Sequence, residues 1–339
     1  MNKRRSAKAD LVRAIIADPK NHSLSEKALA RLVERTHPGL YDNLEAARHA
    51  VRNVLGKSGS YIAGGKKNEF QVQMQKLRKL RTAMPEGESQ RVGAYVLPRK
   101  YRNGIVISDI HFPYQDDAAL FAAIEYGVRE QIDFIYLNGD VMDCAKHSDH
   151  EQDPKARSFK YELDLTRQFL AGLREIFPDA LIVYKWGNHE YRYMRWLRSN
   201  DKARELLEVE ECSLAYLLRF KELGIVEVQS RQRAMLGKLP VYHGHEFRRG
   251  FAAPVNPARG LFLRTKESGL QGDCHRDSLH TEVTASKKMI QTYSTGCLCD
   301  LHPAYDPYNS WRHGFAHIRL EDNGNYQVTL KTIKDGEIF

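Results

Sequence analysis

The sequence predicts an α/β chain whose largely parallel sheet is preceded by a small all-α region, and three observations carry that prediction. Between residues 103 and 190, three apolar, β-branched runs each end in polar residues and alternate with two amphipathic helical patterns, which is the signature of a βαβαβ series with right-handed crossovers. Before residue 57 there are only helical patterns. After residue 289 the segments IQTYSTGCL, HGFAHIRL and YQVTLKTI, the last two separated by the Asn323–Gly324 turn, read as antiparallel strands that finish the sheet.

In the first helical pattern Leu11, Ile15 and Ile16 recur at helical spacing before Pro19 ends it. The second opens with Ser23 and Glu26 at capping-box spacing and carries Ala28, Leu29, Leu32 and Val33. The third opens with Asp42 and Glu45, turns Ala47, Val51 and Val54 inward, leaves Arg48 and Arg52 on another face, and stops at Gly56. Three short helices with a basic third one resemble a helix-turn-helix module, and they equally suit a helical cap on a body or partner. Residues 57–70, rich in Gly, Ser and Lys, read as a flexible wing or linker, and 73–84 as a short basic helix. The expected organisation is therefore 1–56 helical, 57–102 basic linker, 103–339 catalytic body.

Charge follows the same division. The chain of 339 residues has a formal charge of +9, but residues 1–102 carry +13 and residues 103–339 carry −4. A basic arm on a mildly acidic body suits a polyanion held by the arm and cations held by the body, while a solvated lysine-rich face is the plainer reading. No apolar run reaches the roughly 18 to 20 residues of a membrane span, and MNKRRSAKADLVRAII interrupts its apolar positions with charge, unlike a signal peptide. No membrane association is expected, and a cytoplasmic location is. Five cysteines without a framework suit a reducing compartment.

The chemistry-bearing residues sit at the ends of the body's strands. NGIVISDIHFP ends in Asp109 and His111, which alternation places on one face of a strand just as it opens into a loop. IDFIYLNGDVMD ends in Gly139, Asp140 and Asp143, and ALIVYKWGNHE ends in Asn188, His189 and Glu190. Two later clusters bring His243, Gly244 and His245, then Gly272, Asp273 and His275. Polar residues at the carboxyl ends of strands mark where an open α/β sheet keeps its site. The pair Cys297 and Cys299 with His302 lacks the paired spacing of a closed zinc site and reads as reduced, partly buried thiols. Cys274, inside the last cluster, points to redox sensitivity. His147, His150, His245, His302, His313 and His317 lie outside the motifs and read as structural.

The ordered set DxH, GDxxD, GNHE, a lone His and a terminal GxxH resembles the calcineurin-like metallophosphoesterase family over roughly residues 103–320, and the added helical module resembles proteins of phage or prophage origin. The resemblance implies a four-layer αββα sandwich and two divalent metal ions at the strand ends. It implies that Asp109, His111 and His275 hold one ion, that Asn188, His243 and Asp273 hold the other, and that Asp140 bridges them. A hydroxide between the ions would attack phosphorus, His189 would protonate the departing oxygen, and Asp143 would orient His189. Glu190 is expected behind these residues. The family pattern has His where this chain has Asp273, and the added carboxylate tilts the site toward Mn²⁺, with Mg²⁺, Fe²⁺ or Zn²⁺ as the other candidates.

Arginines and aromatics follow the motifs, and Arg192, Arg248 and Arg276 are the expected substrate contacts. Interleaved rings and guanidinium groups suit phosphates and stacked bases. The leading expectation is a phosphodiesterase acting on DNA or RNA. The alternatives are a phosphomonoesterase or nucleotide phosphatase, and a DNA-binding adaptor without activity.

Overall fold

The computed structural model describes all residues except 1–6, 57–60, 89–91, 149–155 and 248–254, and the side chains of 61–69. The chain divides into two compact units, Met1–Gln90 and Arg91–Phe339.

The first unit contains the helices Ala7–Ala17, Glu26–Thr36, Leu44–Val54 and Tyr61–Ala83. Val12, Leu29, Ala30, Val33, Ala47 and Val51 close a small core among the first three; the second and third helices bury their expected stripes, while in the first Val12 is buried, Ile15 and Ile16 are partly buried, and Leu11, expected inward, is exposed. The caps differ from the predicted ones. Ser25 rather than Ser23 accepts the Ala28 N–H, and Asn43 rather than Asp42 accepts the Ala46 N–H at 2.8 Å. In each case the helix starts directly after the residue whose backbone is still extended. The fourth helix starts at Tyr61, well before the basic helix expected from 73. Propagation costs little once a turn exists, so the Gln- and Lys-rich segment extends its helix back through the Gly pair.

In the second unit a seven-stranded sheet runs in the spatial order Glu337–Ile338, Tyr326–Lys334, His313–Leu320, Asn103–Ile107, Phe134–Leu137, Leu181–Lys185, Ile225–Val228. The last four are parallel and the first three antiparallel. The expected βαβαβ series is present, with crossover helices Asp117–Arg129 and Phe159–Ile176 capped by Asp116 and Ser158.

A second sheet runs Tyr95–Val96, Ala234–Leu236, Leu239–Val241, Gly269–Gln271, Met289–Ser294, Ser278–Val283. Met289–Ser294, expected to extend the parallel sheet, lies here instead, parallel to Gly269–Gln271 and antiparallel to Ser278–Val283. Its apolar pattern specifies a strand without specifying the partner.

Strand alternation explains the layers. Val106, Phe134, Tyr136 and Val183 meet Leu236, Val241 and Leu270 between the sheets, while Ile105, Ile107, Ile135 and Leu137 point the other way, toward Leu120, Leu170 and Leu173 of the crossover helices. Helix Pro257–Thr265 covers the far face of the second sheet, where the Ser278 and Thr292 hydroxyls bond to the backbone of Ala258. Helix, sheet, sheet and helix make the expected four-layer α/β sandwich. No helix among the described residues is long and apolar enough to cross a membrane.

Candidate metal centre

Five of the converging residues, Asp109, His111, Asp140, Asp273 and His275, have backbone φ between +52° and +61°. Asp and His tolerate this left-handed region better than most residues, at some cost in strain. The turn each makes throws its side chain across the strand ends, and neighbouring loops lock it. The N–H groups of Ile110 and His111 both donate to the Asp140 carbonyl, at 2.9 and 3.0 Å, and the Asp273 N–H donates to the Asp109 carboxylate at 3.1 Å. Gly187 is required for the approach of the third loop, because a Cβ there would overlap the Asp140 carboxylate.

Glu190 anchors these loops from behind. It is fully buried, and its two carboxylate oxygens accept the N–H groups of Asp140, Val141, Met142 and Gly187 and the Tyr184 hydroxyl, at 2.7 to 3.1 Å. Burial raises its pKa, with Asp140 adding to the effect.

In front of it, Asp140 Oδ2 lies 3.2 Å from His243 Nε2, 3.8 Å from His189 Nε2 and 4.0 Å from His111 Nε2. His243 donates from Nδ1 to the Asn138 carbonyl at 2.6 Å, which turns Nε2 toward Asp140, toward Asn188 Oδ1 at 3.2 Å and toward Asp273 at 3.8 Å. His275 Nε2 lies 3.3 Å from Asp109 Oδ1 and 3.3 Å from His111 Nε2. The seven residues named from the sequence thus share one buried cluster, with Asp140 in the middle.

The chemistry of this cluster fits cations. Asp109 Oδ1 is buried without a hydrogen bond, an expensive arrangement unless a positive partner completes it. Burial works against charge on Asp109, Asp140, His243 and His275, yet their mutual attraction prevails: Asp109 and Asp140 are held below the usual range, His275 is pushed up to about 9 by Asp109, and His243 is pushed well up by Asp140, whereas burial and the neighbouring His189 keep His111 below its usual value. A field that draws protons onto imidazoles draws dications by the same means, with the protons released. Closely converging donors form the trios Asp109, Asp140, His243; His111, Asp140, His189; and His111, His275, Cys299.

His189 belongs to one of these trios but both of its nitrogens are engaged. Nδ1 meets the Asp143 carboxylate at 2.9 Å and Nε2 accepts from Arg192 at 2.9 Å. Asp143 also receives His111 Nδ1 at 3.1 Å, and these two imidazole bonds hold its carboxyl far below the usual range despite burial.

Of the expected substrate arginines, Arg192 joins this cluster through His189 and the Asp143 carbonyl. Arg276 reaches the carbonyls of Ser310 and Val255 and so braces two loops. Arg248 lies outside the described residues, as does His150. His313 and His317 serve the framework, through the Cys299 carbonyl and through Tyr126 and Asn103.

Three contributors escaped the sequence reading. Glu162, on the second crossover helix, accepts the N–H groups of Cys144 and Ala145 and fixes the loop that carries Asp143; burial pushes its carboxyl up to about 8, with the Asp143 charge adding to the rise. Cys299, expected only as a thiol of the framework, is buried with its sulfur 3.9 Å from His275 Nδ1.

The third is a buried ion pair. Lys185, fully buried at the end of the strand before the GNHE loop, lies 3.0 Å from Glu246 and donates to the carbonyls of Ser230 and Gln232. Glu246 in turn accepts the N–H groups of His243 and Gly244. Its place three residues after His243 was the only available signal. Burial opposes charge on Glu246, but Lys185 holds its carboxyl down at about 2 against an ordinary 4.5. A depressed carboxyl stabilises the fold fully above about pH 4.5, and the contribution disappears as pH falls through about 2. Lys185→Met is therefore expected to lose about 3 kcal/mol at neutral pH, by stranding a buried carboxylate, and to show a flatter loss across that acid window in urea titrations. An unchanged acid profile would dismiss the pair as a stability element.

Comparison with known proteins agrees with this geometry. A relative, the Gene 54 protein of Mycobacterium phage L5, is 25% identical over 229 residues, covering 64% of this chain and 88% of the phage protein. Among solved structures, the phosphoesterase Yfce from E. coli has 14% identity and a TM-score of 0.31 over 70% of this chain and 96% of its own. A dimetal phosphatase from Danio rerio has 13% identity and a TM-score of 0.31 over 68% and 96%. Those scores are too low to bear on substrate. The family pattern described as calcineurin-like phosphoesterase matches residues 105–325, spanning every strand end just described. With that match over more than half its length, the chain belongs to the calcineurin-like phosphoesterase family, whose members depend on a dinuclear metal centre, and its strand ends gather His and Asp residues that could hold metal ions.

Proposed function

We propose that this phosphoesterase is a phosphodiesterase that cleaves DNA or RNA, with residues 1–102 as its grip. The observation that carries the reading is the separation of charge, +13 in residues 1–102 against −4 in the remainder. Such a segment holds a polyphosphate backbone by releasing its counterions. In the first unit Lys76, Arg78, Lys79 and Arg81 are exposed along one helix, and Arg48 and Arg52 face outward on the third helix, with Glu45 and Glu26 as ion-pair partners.

Asp109, His111 and His275 would hold one dication and Asn188, His243 and Asp273 a second, with Asp140 as a ligand available to both. When bound they supply Lewis-acid charge and nucleophile activation. The hard Asp273 carboxylate favours Mn²⁺ among the possible ions. His189 holds a proton for the leaving oxygen at Nε2, and Asp143 fixes its ring through Nδ1. For that, Arg192 must release Nε2, and an arriving phosphate is the natural new partner for the guanidinium.

The test is incubation of the full chain with Mn²⁺ and end-labelled DNA and RNA beside a simple phosphomonoester. Cleavage of the strand is expected. Release of phosphate from the monoester alone would make it a phosphomonoesterase, and inertness with retained DNA binding would make it an adaptor. Removal of the first unit, residues 1–90, which leaves the strand Tyr95–Val96 in its sheet, should weaken nucleic-acid binding and flatten its salt dependence while sparing a small diester. Unchanged affinity would refute the grip.

A further inference from the structure

The loop of residues 300–312 runs beside the metal centre and carries three aromatic rings to which neither the motifs nor the mechanism gives a task. Both of its ends are tied to the site. The Asp300 N–H donates to the Tyr114 carbonyl at 2.7 Å, three residues after His111, and the Arg312 N–H donates to the carbonyl of His275 at 2.9 Å. Within the loop, the Asn309 amide donates to the carbonyls of Leu301 and Asp306, both at 2.7 Å, and its oxygen accepts the Trp311 N–H at 2.8 Å. The Arg312 guanidinium clamps Asp277 at 2.7 Å. The loop is thus held in shape before anything binds.

Its rings continue outward from the cluster. Trp311 packs edge-on against His275 with ring centroids 4.1 Å apart, and Tyr305 stands 6.2 Å from Trp311. Tyr305 is 79% exposed and Tyr308 96% exposed, so the loop displays apolar rings that the core does not use. The row of rings therefore starts at His275, a member of the cluster, and ends in the exposed Tyr305.

We propose that Tyr305 and Trp311 form a stacking site for the nucleobase next to the scissile phosphate. The proposal rests on the phosphodiester reading and deepens it, by assigning to the substrate a base at a defined side of the centre, the side of His275. Every base offers a π face, so such a site favours nucleotides without selecting a sequence. The phosphate held at the cluster delivers its own base to the loop. A loop already braced loses little freedom on binding.

The experiment compares two diesters that share the same leaving group, thymidine 5′-(p-nitrophenyl phosphate) and methyl p-nitrophenyl phosphate, using the full chain with Mn²⁺. The wild type is expected to prefer the thymidine ester, chiefly through KM. Tyr305→Ala should lower kcat/KM on the thymidine ester by roughly tenfold, the scale of a single base–aromatic stack, and on the methyl ester by less than about twofold. Tyr305→Phe, which keeps the ring, should retain the preference. Equal losses on both esters, or a wild type without preference, would overturn the proposal. Quenching of tryptophan fluorescence by thymidine monophosphate, measured against inorganic phosphate, reads the same stack without turnover. The two readings fail separately. If DNA and RNA stay intact while the thymidine preference depends on Tyr305, the strand-cleaving function is wrong and the stacking site stands. If strands are cut but Tyr305→Ala leaves the preference unchanged, the reverse holds.

Discussion

His189→Ala is expected to lower kcat on a nucleic-acid strand by roughly 10² to 10⁴, while hydrolysis of a p-nitrophenyl diester falls by less than about tenfold. The reason lies in the leaving oxygen. A sugar alkoxide departs with difficulty unless a proton reaches it, whereas p-nitrophenolate is stable enough to leave unaided. His189 is placed for that task by Asp143 at Nδ1, and its Nε2 faces Arg192, a partner that can leave, while Asp140 Oδ2 at 3.8 Å sustains the charged ring. KM should change little, because the imidazole acts on the departing oxygen and takes no share in binding. Parallel kinetics on the two leaving groups decide the matter. An equal fall on both would show that His189 acts on the whole cluster and not on the departing oxygen.

Glu190→Gln is the second large effect, and it appears in stability. Glu190 Oε1 accepts Val141 N, Met142 N and the Tyr184 hydroxyl, and Oε2 accepts Asp140 N and Gly187 N. An amide has one oxygen, so one side must present an NH₂ to N–H donors that are already aimed at it. In the better orientation the Asp140 and Gly187 donors are orphaned behind the cluster, where Glu190 and Asp140 are buried. At about 1 to 3 kcal/mol for each buried group left without a partner, the loss should come to roughly 3 to 5 kcal/mol. Urea denaturation measures it. A midpoint near that of the wild type would mean that the loops keep their shape without the carboxylate.

The strands were legible from simple periodicities, and the residues of the candidate site from the ordered motifs at the strand ends and the family resemblance they carry. Ile105, Ile107 and Val106 alternate between helix and sheet, so the run before Asp109 could only be a strand buried on both faces. Strand ends then place Asp109, Asp140 and Asn188 side by side with no further information. What escaped reading depends on partners far apart in the chain. Lys185 looks like a charge intruding on an apolar strand until Glu246, 61 positions later, is seen beside it. Cys299 gains meaning only from His275, and the strand Met289–Ser294 only from Gly269–Gln271. Arg192 was singled out for a phosphate, but its contact with His189 depends on rotamers that no spacing encodes. The caps moved by one or two residues because several Ser, Asp and Asn residues compete at each helix start and backbone geometry chooses among them.

The left-handed turns at Asp109, His111, Asp140, Asp273 and His275 set the interests of the fold against those of its chemistry. Glycine at any of the five would ease the backbone, and at Asp109, Asp140 or Asp273 it would also thin out a crowd of mutually repelling carboxylates. Selection for thermal robustness alone would therefore erode this end of the molecule first, one residue at a time, and would leave a sturdier sandwich with nothing to bind. The residues that make the protein useful are the ones its stability would discard.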